Sequence, residues 1–299
     1  MIPELSAYGP LLDALRGVRW PARRAVGAAP AGVHRSIQRG TAGEFTEYRV
    51  YRQGDDPKTL DWKLLARSDR AFVRVSEDRA LLNTWFLVDG SGRMAFRGAD
   101  AASNVLSKWD MARQITMGLA AVAHAASDPV GLVVGMPSAP ARLSPRARRG
   151  TIADVARVLG AQTVHETSGG AALAPLLSSL SARSRIVIVS DALGDLDALL
   201  KIASAQVVAG AIIEFVHVVS VAEIDPPAGT FFARDPDMNG RGNIMPARGR
   251  EAYQEAFAAF REDVAVRWRA AGCGYREVRT SEIPARAVRG VIAGLATST

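Results

Sequence analysis

Over most of its length the chain alternates between unbroken apolar runs and amphipathic stretches, and that alternation predicts the architecture. Residues 84–88 (TWFLV) are continuously apolar and stop at Asp89. Residues 185–189 (RIVIV) stop in the same way at Ser190 and Asp191, and residues 211–219 form a third run. Runs that are apolar at consecutive positions suit parallel strands covered on both faces. Shorter strands are expected at 129–134 and 275–278. Helical patterns lie between them, at 104–126, 151–160, 171–181, 195–204, 251–271 and 284–295. In 251–271, Tyr253, Phe257, Phe260, Val264 and Trp268 recur near helical spacing. Strands that alternate with helices predict an α/β fold, a doubly wound and mostly parallel sheet. Residues 228–249 are rich in Gly, Pro and Arg without periodicity and predict a loop.

The pattern differs before residue 84. Leu5, Leu11, Leu12, Leu15 and Val18 fit a helix loosely, and Pro10 limits it to the second half of 3–18. Residues 44–51 alternate like a strand, Gly54-Asp55-Asp56-Pro57 is turn chemistry, 60–66 suit a short helix, and 71–75 a second strand. Three regions result: a helix and flexible arm at 1–34, a small β-rich unit at 35–82 inserted ahead of the main domain, and the α/β domain at 83–299.

Composition narrows the function classes. Of 299 residues, 48% are hydrophobic, enough for one large core rather than a disordered chain. Lys and Arg number 37 against 30 acids, a net charge of +7. Arg16, Arg19, Arg23, Arg24, Arg35 and Arg39 form one cluster, and Arg142, Arg146, Arg148 and Arg149 another. Such clusters meet nucleic acid or anionic surfaces, or are simply solvated. Cys273 is the one cysteine, so neither an intrachain disulfide nor a thiolate metal cluster can form, and a cytoplasmic location is expected. The N-terminus lacks the basic start and apolar core of a secretory signal. The apolar run 207–219 contains Glu214 and His217 and is too short to span a bilayer, so no direct membrane insertion is expected. There is no phosphate-binding Gly-x-x-x-x-Gly-Lys-Ser/Thr sequence and no zinc spacing among His34, His124, His165 and His217.

Two strand ends carry candidate chemistry. Asp89 and Asp191 each follow a buried run, where open α/β sheets bind ligands. With Ser91 they could hold a hard cation; equally, both aspartates could cap the segments that follow. Asp89-Gly90-Ser91-Gly92-Arg93 resembles the Asp-x-Ser-x-Ser metal-ion-dependent adhesion motif of von Willebrand factor A domains. Glu44, Arg49, Tyr51, Gly54-Asp55-Asp56, Asp61-Trp62, Ala66-Arg67 and Glu77 resemble the signature of the Domain of Unknown Function 58 family.

That resemblance implies a von Willebrand factor A-like fold with a small β-rich insertion and no enzymatic activity. It also implies partnership with MoxR-type AAA+ ATPases, and with membrane von Willebrand factor A proteins, in maturing or assembling other proteins. The chain departs from the adhesion motif at Arg93, where the pattern has Ser, and at Ala171, where it has Thr. Asp89, Ser91 and Asp191 remain as metal ligands, a thin set for Mg²⁺ or Mn²⁺. A guanidinium about 5 Å from such an ion would repel each unit of its charge by roughly 3 kcal/mol at an effective dielectric near 20. Arg93 could instead bridge the two aspartates, or point to solvent. The expectation is therefore no resident cofactor beyond weak Mg²⁺ or Mn²⁺. Arg49, Asp55, Asp56, Asp61, Trp62 and Arg67 form either an ion-pair network or a docking surface anchored on Trp62. The expected function is a protein-binding adaptor; the alternative is a nucleic-acid or anionic-surface binder using the arginine clusters.

Overall fold

The computed structural model describes residues 3–20, 44–52, 60–68, 70–77, 82–98, 105–226, 228–229, 231–234, 242–246 and 249–294. The chain divides into two compact units. One comprises Met1–Val26 with Leu82–Thr299, the other Gly27–Leu81.

In the smaller unit, β1 (Glu44–Val50) pairs antiparallel with β2 (Phe72–Glu77), with an irregularity between Phe45 and Glu47. Helix α3 (Trp62–Ser68) lies between them in sequence. Asp61 starts α3, its Oδ1 accepting from the Lys63 and Leu64 amides at 3.0 Å. A carboxylate there satisfies amides that a helix leaves unpaired.

In the larger unit, α1 (Pro3–Ser6) and α2 (Gly9–Ala14) come first. Tyr8, Leu11, Leu15 and Trp20 are buried in the main core. The sheet strands follow in order: β3 (Thr84–Asp89), β4 (Val130–Gly135), β5 (Ala141–Arg146), β6 (Arg185–Ser190), β7 (Ile212–Val219) and, last in the chain, β10 (Gly274–Arg279). Their spatial order is β10-β7-β6-β3-β4-β5, parallel except for β5. Chain order reverses around β3, because β4 lies on one side of it and β6 on the other. That reversal opens a crevice at the strand ends.

Side chains alternate across the sheet as strand geometry requires. Phe86, Val88, Val187, Val189, Val216 and Val218 join one core, with helices α4 (Lys108–Ala125), α5 (Thr151–Gly160) and α10 (Pro284–Gly294). Trp85, Leu87, Ile186, Ile188, Ile213 and Phe215 join the other, with α6 (Leu173–Ser178), α7 (Leu196–Val208) and α9 (Arg250–Ala270). Phe215 stacks on Trp268 with ring centroids 4.2 Å apart.

Three expectations need correction. The expected loop 228–249 contains two paired strands, β8 (Phe231–Arg234) and β9 (Gly242–Met245); four residues each are too few to show periodicity. The strand β5 was not expected, because its sequence ARLSPR has mostly polar or exposed positions, as an edge strand allows. The helix expected from 104 begins at Lys108, where Ser107 caps it by accepting from the Asp110 amide.

Candidate functional site

Three adjacent strands, β7, β6 and β3, end side by side, and each end contributes acids. Asp89 closes β3, Asp191 follows β6, and Glu223 lies in α8 (Val221–Ile224), the single turn after β7. The sequence-predicted residues Asp89, Ser91, Arg93 and Asp191 are all buried here.

Asp89 is held on both oxygens. Oδ1 accepts from the Ser91 amide at 2.9 Å, and Oδ2 accepts from the Ser190 hydroxyl at 2.7 Å. Burial, and then the neighbouring Asp191, raise its carboxyl above the usual range against those hydrogen bonds. The Asp191 Oδ1 accepts from the Leu193 amide at 3.1 Å. Both aspartates thus make the local turn that short polar side chains favour, each bonding the amide two residues on. The tight turn after Asp191 puts Ala192 at φ 61°, a conformation uncommon outside glycine. Asp191 does not cap α7; Asp195 does, accepting from the Ala198 amide.

The cations decide the character of the site. Arg93 is 6% exposed, so it does not point to solvent. Its Nε lies 3.6 Å from Asp191 Oδ1, while Asp89 is engaged by the serines. Of the alternatives for Arg93, exposure to solvent is set aside, and the guanidinium meets Asp191. A second cation, which the sequence pattern did not single out, sits deeper. Lys108, the first residue of α4, is 1% exposed, and its Nζ donates to Asp191 Oδ2 at 2.8 Å and to Glu223 Oε1 at 2.7 Å. Burial alone would lower this ammonium, but Asp191 and Glu223 outweigh it and leave it above its usual range. Burial likewise pushes Asp191 up, yet Lys108 and Arg93 bring it below the usual carboxylate range. Glu223 is fixed from its other side, since Oε2 accepts from the Ser220 amide at 2.9 Å in a capping box.

These residues do not fit a divalent ion. Every carboxylate oxygen of Asp89 and Asp191 already has a donor or cation beside it. Ala171 offers no side-chain oxygen. One feature favours an added ligand: the buried Ser91 Oγ lies beside Asp89 without a hydrogen bond of good geometry. Against it, the two fixed cations cancel most of the attraction that the carboxylates would exert on a divalent charge.

The surroundings are closed on one side and open on the other. The Gly92 amide donates to the Gly169 carbonyl at 2.8 Å, and a Cβ at Gly92 would lie 2.8 Å from the Glu166 carbonyl oxygen. Glycine is what allows that loop to pass so close. On the other side a groove of about 460 Å³ runs between the Ala171–Leu173 segment and α7, lined by Asp89, Arg93, Ala171, Leu173, Leu196 and Lys201, among others. His217, in β7, contacts the turn after β6. Its Nε2 is 3.1 Å from the Asp191 carbonyl oxygen and its Nδ1 2.8 Å from the Tyr275 hydroxyl.

The second predicted cluster is only partly visible. Asp55 and Asp56 lie outside the described residues. Arg49 is in β1, opposite Val73. Asp61 caps α3, Arg67 is in its last turn, and Trp62 is 66% exposed.

A parallel sheet with an antiparallel edge, helices on both faces and an Asp-x-Ser turn at the central strand end defines a von Willebrand factor A-like domain. The family model described as Protein of unknown function DUF58 matches residues 47–263, and the chain belongs to that family. Uncharacterized protein Rv1480 of Mycobacterium tuberculosis is 24% identical over 277 residues, 90% of this chain and 85% of that protein. Among solved structures, an aerotolerance-related membrane protein from Bacteroides fragilis aligns with 16% identity and a TM-score of 0.44, covering 71% of this chain and 98% of that one. BatB from Bacteroides thetaiotaomicron aligns with 14% identity and a TM-score of 0.43, covering 73% and 100%. The SpRpn10 VWA domain aligns with 14% identity and a TM-score of 0.40, covering 71% and 95%. Among the described residues, no helix is long and apolar enough to cross a membrane.

Proposed function

We propose that this protein is a non-enzymatic adaptor or assembly factor. It docks a partner protein through the strand-end face of its von Willebrand factor A-like domain, and the partner is a MoxR-type AAA+ ATPase. The observation that carries this reading is a neutralised, hydrogen-bonded charge cluster beside an open groove, in the place where α/β sheets bind ligands. The polar groups nearby are poorly suited to chemistry. The Ser91 hydroxyl lies beside Asp89, whose carboxylate oxygens are taken up by the Ser91 amide and the Ser190 hydroxyl. The His217 imidazole is engaged on both nitrogens and lowered to about 4 by burial, so it stays neutral. At the opposite end of the sheet, burial pushes the Cys273 thiol up to about 12, far from a reactive thiolate. The family supplies the partner class by resemblance, and the groove supplies the surface.

The test uses the purified chain and the MoxR-type ATPase encoded in the same genome, without nucleotide, with and without a chelator. A complex that persists in the chelator is expected. Ala198→Arg, which fills the groove from α7, is expected to weaken it at least tenfold while leaving Tm unchanged. A complex that forms only with Mg²⁺ or Mn²⁺, or one indifferent to Ala198→Arg, overturns the reading. Salt-sensitive binding to DNA with no ATPase complex would favour the arginine clusters instead.

A further inference from the structure

We propose that the Lys108 ammonium is the resident cation of the strand-end site: a built-in organic cation that takes up Asp191, one of the expected metal ligands, and ties helix α4 to two strand ends. Its position in the chain is unfavourable by itself. Lys108 is the first residue of the 18-residue helix α4, at the end where the backbone amides already carry partial positive charge. A buried ammonium at that end needs carboxylates, and two are supplied from outside the helix. Asp191 comes from the end of β6 and Glu223 from the turn after β7, so one Nζ links α4 to two adjacent strand ends. The Phe96 ring, whose centroid is 5.7 Å from Nζ, covers it on a further side.

Within the contact series Arg93, Asp191, Lys108 and Glu223, two positive charges meet two negative ones, while Asp89 beside them is held by the neutral donors of Ser91 and Ser190. The inference concerns the chemistry of the site and stands whether or not an ATPase docks on the face.

The experiment replaces the side chain by a free amine. Lys108→Ala in the full chain removes three methylenes and the ammonium, the atoms of propylammonium. Propylammonium chloride is expected to raise the Tm of Lys108→Ala by several degrees, saturably, and to leave wild type unmoved. Sodium chloride controls for ionic strength and 1-propanol, the neutral isostere, for cavity filling. Should Lys108→Ala not fold unaided, recovery of folded protein on refolding with propylammonium, against 1-propanol, is read instead. In parallel, Mn²⁺ is titrated into wild type and into Lys108→Ala/Arg93→Ser, with calorimetry and electron paramagnetic resonance. The variant is expected to take up Mn²⁺ and wild type to take up none. Recovery by 1-propanol equal to that by propylammonium, no recovery with either, or stoichiometric Mn²⁺ uptake by wild type overturns the proposal.

Discussion

His217 gives the strand-end site an acid limit whose size follows from its surroundings. The ring is 1% exposed, and its Nε2 faces the Asp191 carbonyl, which can only accept. Nε2 therefore carries the proton, and Nδ1 accepts from the Tyr275 hydroxyl. Burial lowers the imidazole to about 4, although Asp191 and Glu277 pull the other way. In the unfolded chain the same group titrates near about 6.5. Between those values the unfolded state binds the extra proton, so stability falls as pH falls. At about 1.4 kcal/mol per pK unit, the loss is about 2 kcal/mol at pH 5 and approaches about 3 kcal/mol below pH 4. The assay is urea unfolding of wild type and His217→Gln at pH values from about 7.5 down to about 5. The amide keeps a donor for the carbonyl but does not titrate. Asp89, Asp191 and Glu277 are present in both proteins, so their own contributions largely cancel in the difference. Wild type is expected to lose about 2 kcal/mol more than the variant over that range. Parallel loss in the two proteins would mean that His217 protonates in place at its ordinary value, and the closed link between Asp191 and Tyr275 would have to be abandoned.

Further perturbations probe how tightly the elements around the site are set. Gly92→Ala puts a methyl group against the Glu166 and His165 carbonyls and should cost about 1–3 kcal/mol in unfolding free energy; a neutral result would mean the Gly169 loop is not seated on the site. Gly274→Ala drives a Cβ into the buried Glu214 carboxylate and should cost about 3 kcal/mol, and the double variant with Glu214→Ala should be less destabilised than the sum of the singles by more than about 1 kcal/mol. Additive losses would refute that clash. Trp62→Ala, at a 66% exposed position, should change unfolding free energy by less than about 0.5 kcal/mol while weakening partner binding; a large loss of stability would make Trp62 part of a core.

What could be read from the sequence follows from how each element is buried. The strands β3, β6 and β7 are covered on both faces, so their sequences are apolar at nearly every position and stand out. The edge strand β5 needs only one buried side chain in its middle, Leu143, and its arginines read as a basic cluster rather than a strand. The same logic separates the site residues. Asp89 and Asp191 were legible because each ends an apolar run, and sheet order brings such ends together. Lys108 and Glu223 were not, because their partners are 83 and 115 residues away in the chain, and only the packing of α4 across β6 and β7 makes them neighbours.

Two local signals nevertheless pointed to them. Ser220 and Glu223 have capping-box spacing directly after a buried strand, which fixes an acid at a strand end. Ser107 caps a helix whose next residue is a lysine, and a cation in that first turn works against the helix dipole. An unfavourable charge at a helix start, beside strand ends that carry acids, implies that the acids come to the charge. Arg93, in the short 3-10 segment Gly92–Ala95, meets the same Asp191, so Asp191 is the carboxylate that both cations share. Asp191→Asn should therefore disturb the site more than Asp89→Asn. It would leave Lys108 one carboxylate and remove the charge that Arg93 meets, whereas Asp89 is held by neutral donors. Losses in unfolding free energy of about 3–5 kcal/mol for Asp191→Asn and under about 2 kcal/mol for Asp89→Asn are expected, and the reverse order would place the charge cluster on the wrong aspartate.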